Sequence, residues 1–235
     1  LTEAEATGAL LCLDVTEAVL DEAIALGHNL VISHHPLIFK GYKSITGKDY
    51  VERCILKAIK NDIVIYSAHT NLDNAYGGVN YKIAEKIGLK NLQVLEPKEN
   101  SLQDDLMQAG AGIVGELDEP ETELEFLKRI KKTFEVGCVR HNRLTGREIQ
   151  KVALCGGAGA FLLPQAIRAG ADVFITGEIK YHDYFGHEGD ILMAEIGHYE
   201  SEQYTKEIFY SIIRDLFPNF ALQLSKINTN PIKYL

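Results

Sequence analysis

Short apolar runs alternate with helix-compatible segments along most of the chain. The apolar runs, which are typical of buried strands, are Ala9–Leu13, Leu30–Ser33, Ile63–Ser67, Leu92–Leu95, Val152–Cys155, Val173–Thr176, Ile191–Ala194 and Ala221–Leu224. Helical spacing of apolar residues occurs in Thr16–Leu26, Tyr50–Lys60, Val79–Ile87, Glu121–Lys132, Phe161–Ala169 and Glu200–Leu216. This alternation predicts an α/β fold with mixed, mostly parallel sheets packed with helices.

The pattern also repeats within the chain. A shift of 143 positions places Cys12 on Cys155 and Gly27 on Gly170, within matching strand and helix patterns. A strand followed by His-x-x-x-acid occurs twice as well, at His69 and at His198. Because both matches keep the same order, they predict two similar α/β halves. We assign residues 1–100 to the first half and 116–235 to the second. Residues 101–115, where the composition changes, are interpreted as a linker or the remnant of an inserted domain.

Composition narrows the class of protein. The 235 residues are 46% hydrophobic and 24% charged, which is ordinary for a globular protein, and no apolar stretch approaches the roughly 20 residues needed to span a bilayer. The net charge of −9, without a dense run of Lys or Arg, disfavours nucleic acid as a partner. The four cysteines lack metal-site or disulfide-framework spacing, which indicates reduced thiols and a cytoplasmic location.

Imidazole and carboxylate side chains cluster at the ends of the predicted strands. His34 and His35 follow one apolar run directly, and the chain then turns at Pro36. His198 and Glu202 are spaced so that both lie on one helical face. Parallel α/β sheets place their sites at the carboxyl ends of strands, and these side chains are ligands of first-row divalent metals. More ligands are present than one ion needs, so the sequence predicts a two-metal site, against the alternatives of a surface histidine pair and an ordinary acid in the first turn of a helix.

Further polar residues lie at the ends of the predicted strands. Asp73 is predicted to be a ligand, although aspartate in a loop is commonly a turn former. His69, its neighbour in the third run, could be a ligand, a group that orients the ligands or a proton shuttle, and we interpret it as an orienting group. Glu178 and His182 are candidates for supporting or acid–base roles, with a helix cap as the alternative. The candidate catalytic residues are therefore His69, Glu178 and His182.

Four motifs together resemble a known family, the NGG-interacting-factor-three-like proteins, whose members are often labelled GTP cyclohydrolase I type 2 homologues. The motifs are Val31-Ile-Ser-His-His-Pro36, Ala68-His-Thr-Asn-Leu-Asp73, Phe174-Ile-Thr-Gly-Glu-Ile-Lys-Tyr-His-Asp183 and Gly197-His-Tyr-Glu-Ser-Glu202. The resemblance implies two similar α/β halves, a dinuclear metal site between them and a toroidal homohexamer. It also implies the ligands: His35 and Asp73 on one ion, His34 and His198 on the other, and Glu202 bridging. The family more often has Thr-Gly-Asp where this chain has Thr-Gly-Glu178, which leaves the role of that acid open.

The expected function is metal-dependent hydrolysis of a phosphoester or nucleotide-like small molecule. Two divalent ions suit such chemistry, and Zn, Fe and Mn are all compatible with a mixture of histidine and carboxylate ligands. The alternative is a non-catalytic, metal-dependent binding or regulatory ring protein, because the ligands of both would be identical.

Overall fold

The computed structural model describes residues 5–98 and 109–235. In these ranges the strands are β1 (Ala9–Cys12), β2 (Leu30–Ser33), β3 (Val64–Ser67), β4 (Lys90–Pro97), β5 (Gly110–Thr122), β6 (Arg140–His141), β7 (Glu148–Cys155), β8 (Val173–Thr176), β9 (Leu192–Glu195) and β10 (Leu222–Leu224). The α-helices are α1 (Glu17–Leu26), α2 (Tyr50–Lys60), α3 (Thr70–Asp73), α4 (Val79–Ile87), α5 (Glu123–Thr133), α6 (Leu163–Arg168), α7 (His198–Glu202) and α8 (Thr205–Leu216). Short 3-10 helices cover Ala160–Leu162 and Tyr181–Tyr184.

The predicted α/β class, with parallel and mixed sheets packed with helices, is confirmed. One local prediction was wrong, since the helix predicted over Glu200–Leu216 is two helices that begin at His198 and Thr205. Gly110–Thr122, which overlaps the end of the predicted linker, forms a strand. Residues 101–108 of the predicted linker lie outside the described residues. None of the helices within 5–98 and 109–235 is long and apolar enough to cross a membrane.

The chain divides into two compact units. The first comprises the chain up to Leu72 together with Tyr204–Ile232. Its sheet has the strand order β10-β1-β2-β3, and every neighbouring pair is parallel. Leu10 and Val31 from this sheet pack in one buried cluster with Val19 and Leu20 of α1 and Cys54 of α2. An all-parallel sheet needs such cover because its strands are apolar on both faces.

The second unit comprises Asp73–Gln203 and Lys233–Leu235. Its sheet has the order β4-β5-β7-β8-β9-β6. The central strands β7, β8 and β9 are parallel, whereas β4, β5 and β6 join by antiparallel pairing. Ala153, Phe174 and Met193 from the parallel strands are fully buried in the apolar core of this unit.

The two parallel strand pairs that carry the sequence repeat have the same register. Cys12 on β1 lies opposite Ser33 on β2, and Cys155 on β7 lies opposite Thr176 on β8. The turns before β2 and β8 also match, because Gly27 after α1 has φ +70° and Gly170 after α6 has φ +68°. A residue at the end of a helix adopts this left-handed backbone conformation at minimal steric cost only if it is glycine. In both sheets, the two strands of the pair therefore end level with each other.

The loop between His35 and α2 is fixed at its far end by one buried carboxylate. Glu52 on α2 has no exposed surface, and its Oε2 accepts hydrogen bonds from the backbone N–H groups of Thr46 and Gly47 at 2.8 Å each. The hydroxyl of Thr46 and the N–H of Lys48 donate to the same oxygen. Burial raises the pKa of Glu52, but the hydrogen bonds from Thr46, Lys48 and Gly47 outweigh it and lower the pKa to about 2.

Replacing this carboxylate should therefore destabilise the first unit in a pH-dependent way. We expect Glu52→Gln to lower the melting temperature by several degrees at pH 7, because a neutral amide accepts these N–H groups less strongly. A depressed folded-state pKa stabilises fully above the unfolded-state value of 4.5, and this stabilisation is lost as the pH falls towards about 2. The difference from wild type, followed by thermal denaturation, should shrink over that window. The exposed Glu119→Gln is the control, and a difference that is constant with pH would contradict this account.

Candidate metal centre

In the first unit, His34 and His35 extend the hydrogen-bonded edge of β2. The N–H of His34 donates to the carbonyl oxygen of Cys12, and the N–H of His35 donates to that of Leu13 at 2.9 Å. His34 is completely buried, and its Nδ1 lies 2.9 Å from the carbonyl oxygen of Ala68. A carbonyl oxygen only accepts, so Nδ1 carries the proton and Nε2 presents its lone pair. Metal-binding histidines are held in this way.

His35 has the same arrangement with a charged acceptor. Its Nδ1 lies 2.7 Å from Oδ1 of Asp14, which follows β1 by two residues. The two side chains are 13% and 32% exposed, so solvent screens this pair only partly. Nδ1 donates to the carboxylate, and Nε2 is again the nitrogen that would bind a metal.

His69 completes a group of imidazoles in this unit. It follows β3 by two residues, and its ring centroid lies 5.3 Å from that of His34 and 5.5 Å from that of His35. One nitrogen from each of the three rings lies within 4.8 Å of the others, a spacing at which these residues could hold a metal ion. The ends of two adjacent parallel strands, β2 and β3, thus bring these side chains together.

In the second unit, α7 carries a histidine at its start and a carboxylate at its end. Nε2 of His198 lies 3.1 Å from Oε2 of Glu202, one helical turn away. Nδ1 of His198 lies 2.8 Å from Oε1 of Glu178, which follows β8 by two residues. The hydrogen bond to Glu202 raises the pKa of His198, burial opposes this, and Glu178 adds to the rise. Surroundings that favour a proton on His198 also favour a divalent cation beside it.

Asp73, at the end of α3, is a further carboxylate of this group. One of its oxygens lies within 4.8 Å of an oxygen of Glu202, which is almost fully buried. Burial and the charges of Asp73 and Glu202 raise the pKa of the nearby Cys155 thiol to about 12, so both carboxylates act on the same enclosed region. Like charges this close repel each other, and a bound cation would relieve that repulsion.

A glycine turn after β7 makes room for the carboxylate of Glu202. Gly157 has φ +60°, and a Cβ atom there would collide with Oε1 of Glu202. Its N–H donates to Oγ of Ser201 at 3.0 Å, and its carbonyl accepts from the N–H of Glu178 at 3.0 Å. The turn therefore holds α7 and the residue after β8 in place, and it admits only glycine at this position without a shift.

The structure brings most of the predicted site residues together within their own units. His34, His35 and His69 form the group of the first unit, and Asp73, His198, Glu202 and Glu178 that of the second. His182 lies on the exposed 3-10 helix, where its ring contacts Tyr181 at 5.2 Å and Phe185 at 6.2 Å between centroids. A catalytic role for His182 stays a prediction.

Sequence reasoning missed Asp14. A signal was present, because Asp14 follows an apolar strand in the same way as the histidine pair does. Its importance depends on the pairing of β1 with β2, which brings Asp14 beside His35. Thr229, which donates a hydrogen bond to the other oxygen of Asp14, was also missed, and it is separated from Asp14 by 215 positions in the chain.

Comparison with known proteins supports the resemblance seen in the sequence. A sequence model of the family described as Duf34/NIF3 (NGG1p interacting factor 3) matches residues 1–231. A Lactococcus lactis subsp. lactis (strain IL1403) protein named GTP cyclohydrolase 1 type 2 homolog is 34% identical over 237 residues, which cover 97% of this chain and 85% of that protein. A Clostridium perfringens (strain 13 / Type A) protein of the same name is 37% identical over 203 residues, covering 85% and 75%. The crystal structure of a Staphylococcus aureus hypothetical protein matches with a TM-score of 0.89 and 32% identity, over 99% of this chain and 89% of that one.

The raised pKa of His198 gives a test of the geometry in the second unit. In the metal-free protein, we expect Glu202→Gln to lower the pKa of His198, because the largest cause of the rise is removed. Protonated His198 should stabilise the metal-free fold below its unfolded-state pKa, and this stabilisation should be lost as the pH rises through the raised value. Histidine titration by NMR would measure the change, with the exposed His141 as an internal reference. An unchanged pKa of His198 would refute the contact with Glu202.

Proposed function

Because the chain belongs to the Duf34/NIF3 (NGG1p interacting factor 3) family, we propose that it binds two divalent metal ions and hydrolyses a phosphoester or nucleotide-like substrate. One observation carries the proposal. Each of the three histidines predicted as ligands, His34, His35 and His198, has its Nδ1 at a hydrogen-bond acceptor, and Nε2 of His198 lies beside the carboxylate of Glu202, as expected of residues that share a cation. Sequence relatives named GTP cyclohydrolase 1 type 2 homolog support the substrate class.

In this proposal the residues that would hold the two ions are His34, His35, Asp73, His198 and Glu202. The donor chemistry fits, since neutral imidazole nitrogens and carboxylate oxygens together suit Zn, Fe and Mn. When bound, a pair of such ions would supply Lewis-acid activation of water and of the substrate.

The protein's own residues would orient the ligands and move protons. Glu178 and the carbonyl oxygen of Ala68 fix the rings of His198 and His34, so that little reorganisation is needed on binding. His69, which lies among the ligands but is not assigned as one, has an imidazole suited to accept or release a proton near neutral pH. We also propose acid–base roles for Glu178 and His182.

The loop after the histidine pair supports a substrate with a flat ring. Phe39 is 66% exposed, and its ring lies 5.8 Å from that of His69 between centroids at an interplanar angle of 89°. An exposed aromatic ring beside a polar centre offers a stacking surface for a nucleobase, worth ~1–3 kcal/mol per base. Lys40 and Lys43 follow in the same loop and are exposed, which suits the phosphates of a nucleotide.

The proposal extends to assembly and location. We propose a homohexameric ring in the cytoplasm, on the strength of the family resemblance and of the acidic composition with reduced thiols. Light scattering of the purified protein should give six times the mass of one chain, and a monomer would contradict the assembly without affecting the ligand assignment.

Metal content and turnover test the function together. We expect wild type to bind two ions of Zn, Fe or Mn per chain by elemental analysis and to hydrolyse a member of a panel of phosphoesters and GTP. Glu202→Ala should lose both metal and turnover, and a combined His34→Ala, His198→Ala variant should lose most metal. The exposed His141→Ala is the matched control.

Two outcomes would contradict the proposal in different ways. Undiminished metal in the double histidine variant would refute the ligand assignment. Two ions per chain with no turnover on any substrate would favour a non-catalytic, metal-dependent binding protein.

Substitution of Phe39 tests the substrate class separately. We expect Phe39→Ala to weaken GTP binding roughly 5-fold to 150-fold, the range that corresponds to the loss of one stacked base. Pyrophosphate, which has no ring to stack, should bind as to wild type, and metal content should not change. Calorimetric titration would measure both ligands, with the exposed Phe217→Ala as control. Equal loss for GTP and pyrophosphate would argue against stacking.

A further inference from the structure

The C-terminal segment returns to the first unit beyond β10 and is anchored there. The N–H of Ser225 donates to the carbonyl oxygen of Leu11 on β1 at 2.8 Å. The hydroxyl of Ser225 and the N–H of Lys226 donate to the two carboxylate oxygens of Glu22 on α1. These contacts tie the start of the segment to both the sheet and a helix.

Four residues beyond this anchor, the segment reaches the candidate metal centre. The hydroxyl of Thr229 donates to Oδ2 of Asp14, while Oδ1 of Asp14 accepts from Nδ1 of His35. Both carboxylate oxygens therefore have hydrogen-bond donors within this unit. Asp14 is thereby placed as an acceptor for His35.

We infer that Asp14 and Thr229 are positioning residues of the metal centre, so that the C-terminal segment is part of the site. This inference rests on the proposed function, in which His35 is a ligand. The carboxylate fixes the tautomer and the ring orientation of His35 and makes its Nε2 more basic. Thr229 restricts the rotation of Asp14, so the ring is held in one geometry before the metal binds.

Burial makes the pair of Asp14 and His35 more effective in orienting a ligand than the pair of Glu178 and His198 in the second unit. The side chains of His35 and Asp14 are 13% and 32% exposed, whereas those of His198 and Glu178 are 32% and 60% exposed. Hydrogen bonds to charged groups strengthen as solvent is excluded, since screening falls. Loss of Asp14 should therefore weaken metal binding more than loss of Glu178.

The test is the affinity for Zn²⁺, measured by competition with a chromophoric chelator. We expect Asp14→Ala to weaken binding about 10-fold to 100-fold, as is usual for the partner of a metal-binding histidine. Thr229→Val should weaken it less, about 3-fold to 10-fold, because the lost hydrogen bond acts on the metal only through Asp14. Thr229→Ser should restore wild-type affinity because it keeps the hydroxyl. Thr7→Val is the control, since the hydroxyl of Thr7 donates to the carbonyl oxygen of Gly27 in the same unit.

A merely structural role for these residues would give a different result. It would lower the melting temperature of the metal-free variants while leaving the Zn²⁺ affinity of the folded protein unchanged, and that outcome would overturn the inference. Equal affinity of Thr229→Val and wild type, or failure of Thr229→Ser to rescue, would overturn it for Thr229. If Asp14→Ala does not fold, Asp14→Asn takes its place, with a smaller loss expected. Absence of Zn²⁺ binding by wild type would instead refute the proposed function.

The absorption spectrum of bound Co²⁺ gives a second readout. We expect Asp14→Ala and Thr229→Val to shift the visible bands, because the orientation and basicity of one imidazole ligand change. Glu178→Ala should also shift the bands but weaken binding less than Asp14→Ala. Spectra identical to wild type in all three variants would contradict a positioning role.

Discussion

The hydrogen bond at Nδ1 of each candidate ligand histidine is the interaction on which the site depends. A neutral imidazole can carry its proton on either nitrogen, and only the nitrogen without it can bind a metal. The carbonyl oxygen of Ala68, the carboxylate of Asp14 and the carboxylate of Glu178 each accept from one ring. The acceptors of His34 and His35 thus select the same tautomer, with the proton on Nδ1. His198 has a carboxylate at each ring nitrogen, Glu178 at Nδ1 and Glu202 at Nε2.

Parallel strand pairing explains how these groups come to lie at the same edge within each sheet. In the first unit, Asp14, the histidine pair and His69 all follow the carboxyl ends of neighbouring strands β1, β2 and β3. In the second unit, Glu178 and His198 follow β8 and β9 in the same way. The side chains at such an edge lie beyond the apolar core, so polar groups there do not disrupt the interior. The register of β1 with β2 also matches that of β7 with β8.

The sequence predicts those parts of the fold whose signals are local. The bounds of β2, β8, α2 and α4 follow from apolar runs and helical spacing alone. Strand β5 escaped prediction because Gly110, Gly112, Gly115 and several acids weaken its intrinsic preference, and its pairing with β4 and β7 stabilises it instead. The break between α7 and α8 was missed because the apolar spacing continues across it.

The site residues also differ in whether the sequence near them carries a local signal. His34, His35, His198 and Glu202 could be proposed from their positions after apolar runs, since strand ends are legible in a single sequence. Asp14 also follows an apolar run, but its role, like that of Thr229, depends on contacts between residues 21 and 215 positions apart. Ligands are thus easier to predict than the partners that orient them, although those partners decide which nitrogen is offered to a metal.

Anomalous diffraction from crystals grown with Zn²⁺ would test the central claim most directly. We expect two peaks at the zinc absorption edge, with Nε2 of His34, His35 and His198 at roughly 2.0–2.1 Å from an ion and each Nδ1 still hydrogen-bonded to its acceptor. Ions bound through Nδ1, or peaks remote from all three rings, would contradict the account.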